Sequence, residues 1–511
     1  MKAVLARFRE EQEEIFMEYI ISYDIGTSGI KCGLFDVSLN CRIITRCDYE
    51  VKMTAEGTAE AEPEDYIKGM VQCTREALER SGVAAKDIRS MCTTTQGETL
   101  IPIDGNGQPL YKAIVWLDGR AGEQADFIRE HFPDPLFRAK TGLPSVDGYV
   151  PLAKLLHIRH KMPKVYEKTT KFMLLEDYVI YRLTGKTVSE RSLLSSTGYF
   201  DLNTDELWLD ALDVIGIHSG MIPDVVDPGE RIGCLTAEAA QLLGLTCETV
   251  VYAGAMDQLA GAVGCGNCNI GDVHETTGTA MIVASTMGLV DCMACDKQLT
   301  VYRHVQKDRY LLLAISKTAT TVLKWFAEQF YKEQDKTDIY EYLSSVVAGG
   351  IPGANGMLML PYFEGMTDAE QSKGVFWNVG LHNTREDFVR AIFEGVSYML
   401  KDNIQLMSGS EQKGKLISIG GAAKSDIWCQ IKADATGREI VTMSQEEAAL
   451  FGCACIAAVG SGMYPSYEET AKVQGQSKRY IPNEINVAFY EKEYVKYCKM
   501  KELLARLYKE I

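Results

Sequence analysis

The chain has 511 residues, of which 46% are hydrophobic and 24% charged, with a formal net charge of −17. That length exceeds what one hydrophobic core usually organises, and the ordinary globular balance leaves no room for extensive disorder. The negative charge argues against general nucleic-acid binding and against anionic membranes, each of which needs a basic face.

Residues 1–16 are charged and helix-prone, and they precede the first strand without contributing to it, so they are expected to be a dispensable N-terminal extension. Two strand-like runs, Tyr19 to Ile25 and Ile30 to Phe35, then flank Gly26-Thr27-Ser28-Gly29, which predicts a hairpin with a short polar turn. Gly26 and Gly29 would let the backbone adopt conformations closed to other residues, so that consecutive N–H groups point at an anion beside the Thr27 and Ser28 hydroxyls. Asp24 ends the first strand beside this cradle, where a carboxylate would face Mg²⁺ and hold it through water. Taken alone, the stretch fits an ordinary turn with a surface aspartate equally well.

Pro63-Glu64-Asp65-Tyr66 opens a helix that Ser81-Gly82 should stop. A buried strand, Ile88 to Thr93, delivers Gln96, Gly97 and Glu98 at its C-terminal end, where open α/β sheets place ligand groups. A strand over Leu100 to Ile103, the turn Asp104 to Gly107, and a strand over Ala113 to Trp116 lead into Asp118-Gly119-Arg120. Residues 123–220 read as mostly helical, with Tyr149 in a loop and a helix over Glu176 to Leu183. Val250 to Met256 is a strand running into Asp257 and Gln258, and Asp272 to Val283 again reads strand, Thr277-Gly278-Thr279 turn, strand. A second such hairpin half a chain later implies two related half-structures with a ligand between them. Finally, the strand Lys415 to Ile419 runs through Gly420-Gly421 to Ser425 and the helix Asp426 to Ala435, where free N–H groups could meet a nucleotide. The fold class is α/β. Neither a P-loop nor a dinucleotide glycine signature is present.

Taken together, Asp24-Ile25-Gly26-Thr27-Ser28, Trp116-x-Asp118-x-Arg120, Ala253-Gly254-Ala255-Met256-Asp257-Gln258, Thr277-Gly278-Thr279 and Gly420-Gly421-Ala422 with Ser425, Gln430, Ala433 and Asp434 resemble the FGGY carbohydrate kinases. The likeness runs from about Tyr19 to about residue 480. It implies a two-domain actin/hexokinase-like (ribonuclease H-like) fold with the active site in the interdomain cleft. The sugar- and phosphate-binding domain would span 17–264 and the nucleotide-binding domain 265–511. The resemblance makes Asp257 the catalytic base and Asp24 the carboxylate that organises Mg²⁺. It places ATP against Gly26, Thr27, Ser28, Lys31, Thr277, Gly278, Thr279, Thr320, Gly420, Gly421 and Ser425. Thr320 stands near a position where relatives often have a nucleotide-contacting glycine. The sugar would lie against Gln96, Gly97, Glu98, Trp116, Asp118, Tyr149, Asp257 and Gln258.

Gln96-Gly97-Glu98-Thr99 resembles the Gln-Arg-Glu-Thr of glycerol kinases with Gly97 in place of the arginine, whereas xylulokinases carry Met-His where this chain has Gly97-Glu98. Losing the arginine removes a cation and opens space, which suits a substrate longer than glycerol. A ketopentose such as xylulose is therefore expected, with glycerol or another short polyol as the alternative. The actin-like fold also carries chaperone-type ATPases, and a degenerate sugar kinase could act as a sensor. Asp257 and the polar cluster at 96–120 favour a small-molecule kinase over both.

Fifteen cysteines without a signal peptide fit a reducing cytoplasm, and no run of 18 apolar residues exists to span a membrane. Cys265-Gly-Asn-Cys268 and Cys292-Met-Ala-Cys295 approach a zinc-ribbon spacing, but a phosphate hairpin fills the interval, so no zinc is expected. His274 reads as a satisfied core residue. A homodimer is compatible with these readings.

Overall fold

A computed structural model describes residues 18–55, 57–332, 339–366, 371–407, 414–445, 447–473 and 475–510, so the expected extension at 1–16 lies outside the described residues. The chain forms two compact units. The first takes the chain up to Thr141, Ser145–Gly264 and Glu447–Val473; the second takes Gly142–Pro144, Cys265–Glu446 and Gln474–Ile511.

In the first unit β1 (Tyr19–Ile25) is an apolar, β-branched and aromatic strand buried on both faces. It pairs antiparallel with β2 (Gly29–Asp36), which sets Asp24 opposite Lys31, and β2 pairs antiparallel with β3 (Cys41–Asp48). Helix α1 (Pro63–Ser81) starts on its proline with Glu64 and Asp65 in the first turn. It ends at Gly82, whose φ of 70° only glycine adopts readily and whose N–H returns to the Leu78 carbonyl. Helices α2 (Gly122–His131) and α3 (Pro151–Lys161) come later in the chain. On the other side of β1 lie β4 (Ile88–Thr95) and, next to it, β6 (Val250–Met256), both parallel to β1, with β5 (Arg231–Cys234) antiparallel at the edge. Asp24 and Ala255 both stand opposite Thr94, so three parallel strands end together. That shared end delivers Asp24, Gln96 to Glu98, and Asp257 to one edge of the sheet.

Two features differ from the sequence expectation. The strand expected over Ala113 to Trp116 covers only Ala113–Ile114, because Val115 donates to the Ala59 carbonyl and the Asp118 N–H then turns back to Val115. The segment Glu447–Val473 returns to the first unit through the helix Ala448–Gly460, which packs on α4 (Asp257–Gly264) and whose Leu450 carbonyl accepts a 2.9 Å bond from Ser22 Oγ. This helix is apolar on nearly every side and almost wholly buried.

The second unit repeats the plan. Strands β7 (Val273–Thr277) and β8 (Met281–Met287) form an antiparallel hairpin, and β9 (Thr300–Arg303) and β10 (Tyr310–Ser316) extend that side antiparallel in the order β9-β10-β8-β7. Helix α5 (Thr320–Phe330) follows β10, and the long helix α6 (Arg385–Met407) packs on the sheet. On the other side, β11 (Leu416–Ile419) and β12 (Ile440–Met443) run parallel to β7, joined by α7 (Asp426–Thr436). An antiparallel edge strand, Gln476–Tyr480, completes the sheet. The series β3-β2-β1-β4-β6 of the first unit and β10-β8-β7-β11-β12 of the second have the same order and the same senses, so the two Thr/Gly hairpins occupy equivalent places.

Candidate functional site

The turn at Gly26 to Gly29 is closed by Gly26 N–H donating to the Gly29 carbonyl at 3.0 Å, and the Tyr49 hydroxyl donates to the Gly26 carbonyl. Neither glycine has a positive φ, which corrects the conformational argument made from sequence. Gly29 is instead required by close packing, since a β-carbon there would come within 2.7 Å of Asp48 Oδ1 and 3.0 Å of the Cys47 carbonyl oxygen. Ser28 is exposed, and Thr27 Oγ1 accepts the Trp116 indole N–H at 2.9 Å. Lys31 reaches Glu447 at 2.5 Å and stands 3.8 Å from Asp24. Burial raises the Asp24 carboxyl above its ordinary range; Lys31 opposes this and Glu447 adds to it. Glu447 went unnoticed in the sequence because it lies 416 positions from its partner.

Around the next strand end, Gln96 is buried and its Nε2 donates to the Tyr66 hydroxyl at 3.3 Å. A β-carbon at Gly97 would touch only Met256, with Sδ at 3.5 Å, so the position is open beside Glu98. Glu98 is half-buried, and desolvation raises its carboxyl against the pull of the Lys154 ammonium. Lys154, which the sequence reading missed, is fully buried in the helix Pro151–Lys161 and donates to the carbonyls of Val115 at 3.0 Å and Trp116 at 3.4 Å. Burial pushes it down to about 8, with Glu98, Asp118 and Asp147 opposing.

Asp118, expected against the sugar, is wholly buried. Its carboxylate accepts from Ala59 N–H at 2.6 Å, from Arg120 N–H at 3.0 Å, and from Arg120 Nε and Nη2 at 2.8 and 2.6 Å. Four bonds occupy its acceptor directions, so the carboxylate shapes the Trp116–Arg120 turn from within and presents no free lone pair to a ligand. Arg120 is in turn held by Glu60 at 2.7 Å. Trp116 and Tyr149 do present exposed rings, and Tyr149 lies over Gly119, where a β-carbon would come within 3.1 Å of it.

Asp257 opens α4 at the end of β6, with Gln258 beside it, and both are half-buried. Its carboxyl is pushed up to about 7, chiefly by burial and then by Asp24 and Glu98, while the Gln258 N–H and side chain hold it down. Three carboxylates therefore share one neighbourhood, and the repulsion of Asp24 and Glu98 adds to burial in favouring the neutral form of Asp257.

In the second unit Thr279 is exposed at the hairpin turn, whereas Thr277 is buried and its hydroxyl donates inward to Glu275, so its side chain faces away from any ligand. A β-carbon at Gly278 would meet only the Ala280 carbonyl oxygen, at 3.8 Å. Thr320 Oγ1 donates to the Gly278 carbonyl at 2.7 Å, and Thr321 Oγ1 to the Thr279 carbonyl at 2.7 Å, which fastens α5 to the turn. Gly420, with φ of 81°, carries the chain out of β11, and around Gly421 there is open space. Ser425 caps α7, accepting from Trp428 N–H at 3.4 Å, and shares a 2.9 Å hydroxyl contact with Ser344. His274 is a core residue, joined to Asn267 at 2.9 Å and pushed down to about 4 by burial. Among the described residues, no cluster of three or more His, Cys, Asp or Glu could hold a metal ion, and no helix is long and apolar enough to cross a membrane.

Two units of one strand order, each with a Thr/Gly hairpin at its centre, constitute the two-domain actin-like fold. Residues 19–264 match the N-terminal domain and residues 276–461 the C-terminal domain of the FGGY family of carbohydrate kinases. The chain is 30% identical over 481 residues to a xylulose kinase of Bacillus subtilis, covering 93% of this chain and 95% of the other. It is 24% identical over 507 residues to a gluconokinase of the same organism, with 96% and 97% covered. The crystal structure of a xylulose kinase from Rhodospirillum rubrum superposes with a TM-score of 0.90 at 23% identity, covering 96% of this chain and all of that one. The chain belongs to the FGGY family of carbohydrate kinases, and its activity is that of an ATP-dependent carbohydrate kinase.

Proposed function

We propose that the protein transfers the γ-phosphoryl group of ATP to a hydroxyl of a neutral ketopentose, xylulose being the sugar named for the 30%-identical relative. The observation that carries this reading is the carboxyl of Asp257, placed with Asp24 and Glu98 at one sheet edge and raised to about 7. Phosphoryl transfer needs positioning and charge stabilisation more than covalent help. Asp257 accepts the proton of the attacking hydroxyl, and Gln258 orients it. Glu98 and Gln96 accept from or donate to the other sugar hydroxyls, with the rings of Trp116 and Tyr149 against the carbon skeleton. Trp116 also ties the sugar side to the phosphate turn through Thr27. On the second unit, the Gly278-Thr279 turn takes phosphate oxygens, and Gly420, Gly421 and the capped start of α7 take the nucleotide. A half-buried carboxylate whose nearest cation is 3.8 Å away fits a hard divalent ion, so Asp24 would hold Mg²⁺, which supplies charge neutralisation on the phosphates when bound.

Two features separate a neutral ketose from the other readings. The cations named on the first unit are committed: Lys31 to Glu447, Arg120 to Asp118 and Glu60, and Lys154 to two carbonyls. With Asp24, Glu98 and Asp257 facing the same edge, a gluconate carboxylate would be repelled there. The space beside Gly97 suits a chain longer than glycerol. With saturating ATP, xylulose should therefore give a higher kcat/KM than glycerol or gluconate, measured by ADP release. A preference for gluconate would overturn the reading. Glu98→Ala should raise the sugar KM about tenfold or more while leaving ATP binding intact, because a hydrogen bond to an ionised acceptor is among the stronger ones. An unaltered KM would remove Glu98 from the sugar site.

A further inference from the structure

The loops assigned above to the nucleotide are fastened from beneath by a buried ionic knot. Glu275 lies on β7 and Lys432 on α7, and both side chains are fully buried. The Lys432 ammonium donates to Glu275 Oε1 at 2.6 Å and to Thr277 Oγ1 at 2.9 Å, and the Thr277 hydroxyl donates to Glu275 Oε2 at 2.5 Å. Ser418 Oγ, from β11, donates to the same Oε1 of Glu275. Three elements thus meet at one carboxylate. Each borders a nucleotide loop: β7 runs into Gly278-Thr279, β11 runs into Gly420-Gly421, and α7 begins at the Ser425 cap. Gly420 also passes over β7, since a β-carbon there would come within 3.0 Å of Thr276 Cγ2.

Taking a carboxylate and an ammonium out of water costs about as much as their attraction returns, so well-packed apolar residues would serve stability equally well. In the equivalent central strand of the first unit the side chains at Tyr19, Ile20, Ile21, Tyr23 and Ile25 are buried without charge, and the Ser22 and Tyr23 hydroxyls bond to neutral groups. What the ionic knot adds is direction. Hydrogen bonds of fixed length and angle admit one register of β7, β11 and α7, whereas apolar side chains tolerate sliding.

We propose that Glu275 and Lys432 are a positioning pair for ATP: without touching the nucleotide, they hold the Thr279 turn, the Gly420 turn and the start of α7 in a single binding-competent arrangement. This rests on the assignment of those loops to the nucleotide. Lys432→Met alone leaves a buried carboxylate unpaired and should lower the melting temperature strongly. The informative variant is Lys432→Met with Glu275→Leu, which removes both charges. It should melt above Lys432→Met, because the Thr277 and Ser418 hydroxyls that lose their acceptor cost less than an unpaired buried charge. It should also leave the sugar KM unchanged and raise the ATP KM about ten- to a hundredfold, the scale of a small misplacement of binding groups. If it folds with an ATP KM within about twofold of the parent, the pair is structural only and the proposal is overturned. Should the double variant fail to fold, Thr277→Val keeps the ion pair and cuts only the hydroxyl link. A several-fold rise in ATP KM then supports the proposal, and an unchanged KM overturns it. Thr279→Val is the separate check on the loop assignment. If it leaves ATP binding unaltered, the assignment itself fails; if it weakens ATP binding while the double variant does not, only the positioning role fails.

Discussion

Asp257→Asn is expected to keep the fold and nucleotide binding while lowering sugar phosphorylation by about 10²- to 10⁴-fold, the usual contribution of a general base. The substitution preserves size and one acceptor oxygen and deletes only basicity, so the loss reports proton acceptance. A loose phosphoryl transition state, with little proton transfer at its crest, places the loss toward the lower part of that range. The pH dependence gives a second signature. Burial, reinforced by Asp24 and Glu98, pushes the Asp257 carboxyl up to about 7. Only the deprotonated form accepts a proton, so kcat/KM of the parent should rise as pH passes upward through neutrality, and the asparagine variant should lose that limb. Asp24→Asn should differ in kind, shifting the metal requirement, because that carboxylate serves the ion. Single-turnover phosphorylation at saturating substrates separates the two. Turnover of Asp257→Asn within a few-fold of the parent would remove Asp257 as the base.

The second large effect is on stability. A β-carbon at Gly452 would lie 1.8 Å from the Ala260 carbonyl oxygen, and one at Gly264 would lie 1.8 Å from the Ala448 carbonyl oxygen. Helix α4 and the helix Ala448–Gly460 therefore meet backbone to backbone through reciprocal glycines. Backbone atoms cannot rotate away as a side chain can, so Gly452→Ala must push the helices apart. Overpacking costs about 1–3 kcal/mol and more where the clash is rigid, and a chain of this size loses about 1 °C of Tm per kcal/mol, so a fall in Tm of about 1 to 3 °C or more is expected. Because α4 begins at Asp257, activity should fall as well. Gly261→Ala, on the same helix but with open space around its β-carbon, is the control and should leave Tm unchanged or slightly higher. Equal melting of the two variants would contradict the packing account.

Both hairpins were legible because β-branched runs interrupted by Gly, Thr and Ser have few other solutions, and α1 because its proline start and Gly82 stop mark it chemically. The convergence of Asp24, Glu98 and Asp257 was legible only as strand ends, since the parallel register that joins them pairs residues far apart in sequence. Asp118 shows the limit of a motif: Trp-x-Asp-x-Arg located the turn, but nothing local says that the Ala59 N–H, 59 positions away, joins Arg120 in occupying the carboxylate. Lys154, Glu447 and the Glu275–Lys432 pair were missed for the same reason. The role of each charge is identified by a partner the chain supplies tens to hundreds of positions away, and periodicity carries no record of it. The helix Ala448–Gly460 has no polar face to orient it, so its place in the first unit could not be read from its pattern.

The most direct test of the kinase reading is stoichiometry. Purified protein is given ATP, magnesium and xylulose, and ADP and sugar phosphate are quantified together. One sugar phosphate is expected for every ADP, with ADP release falling to background when the sugar is omitted. ADP release that proceeds at the same rate without sugar, or that yields no sugar phosphate, would contradict it.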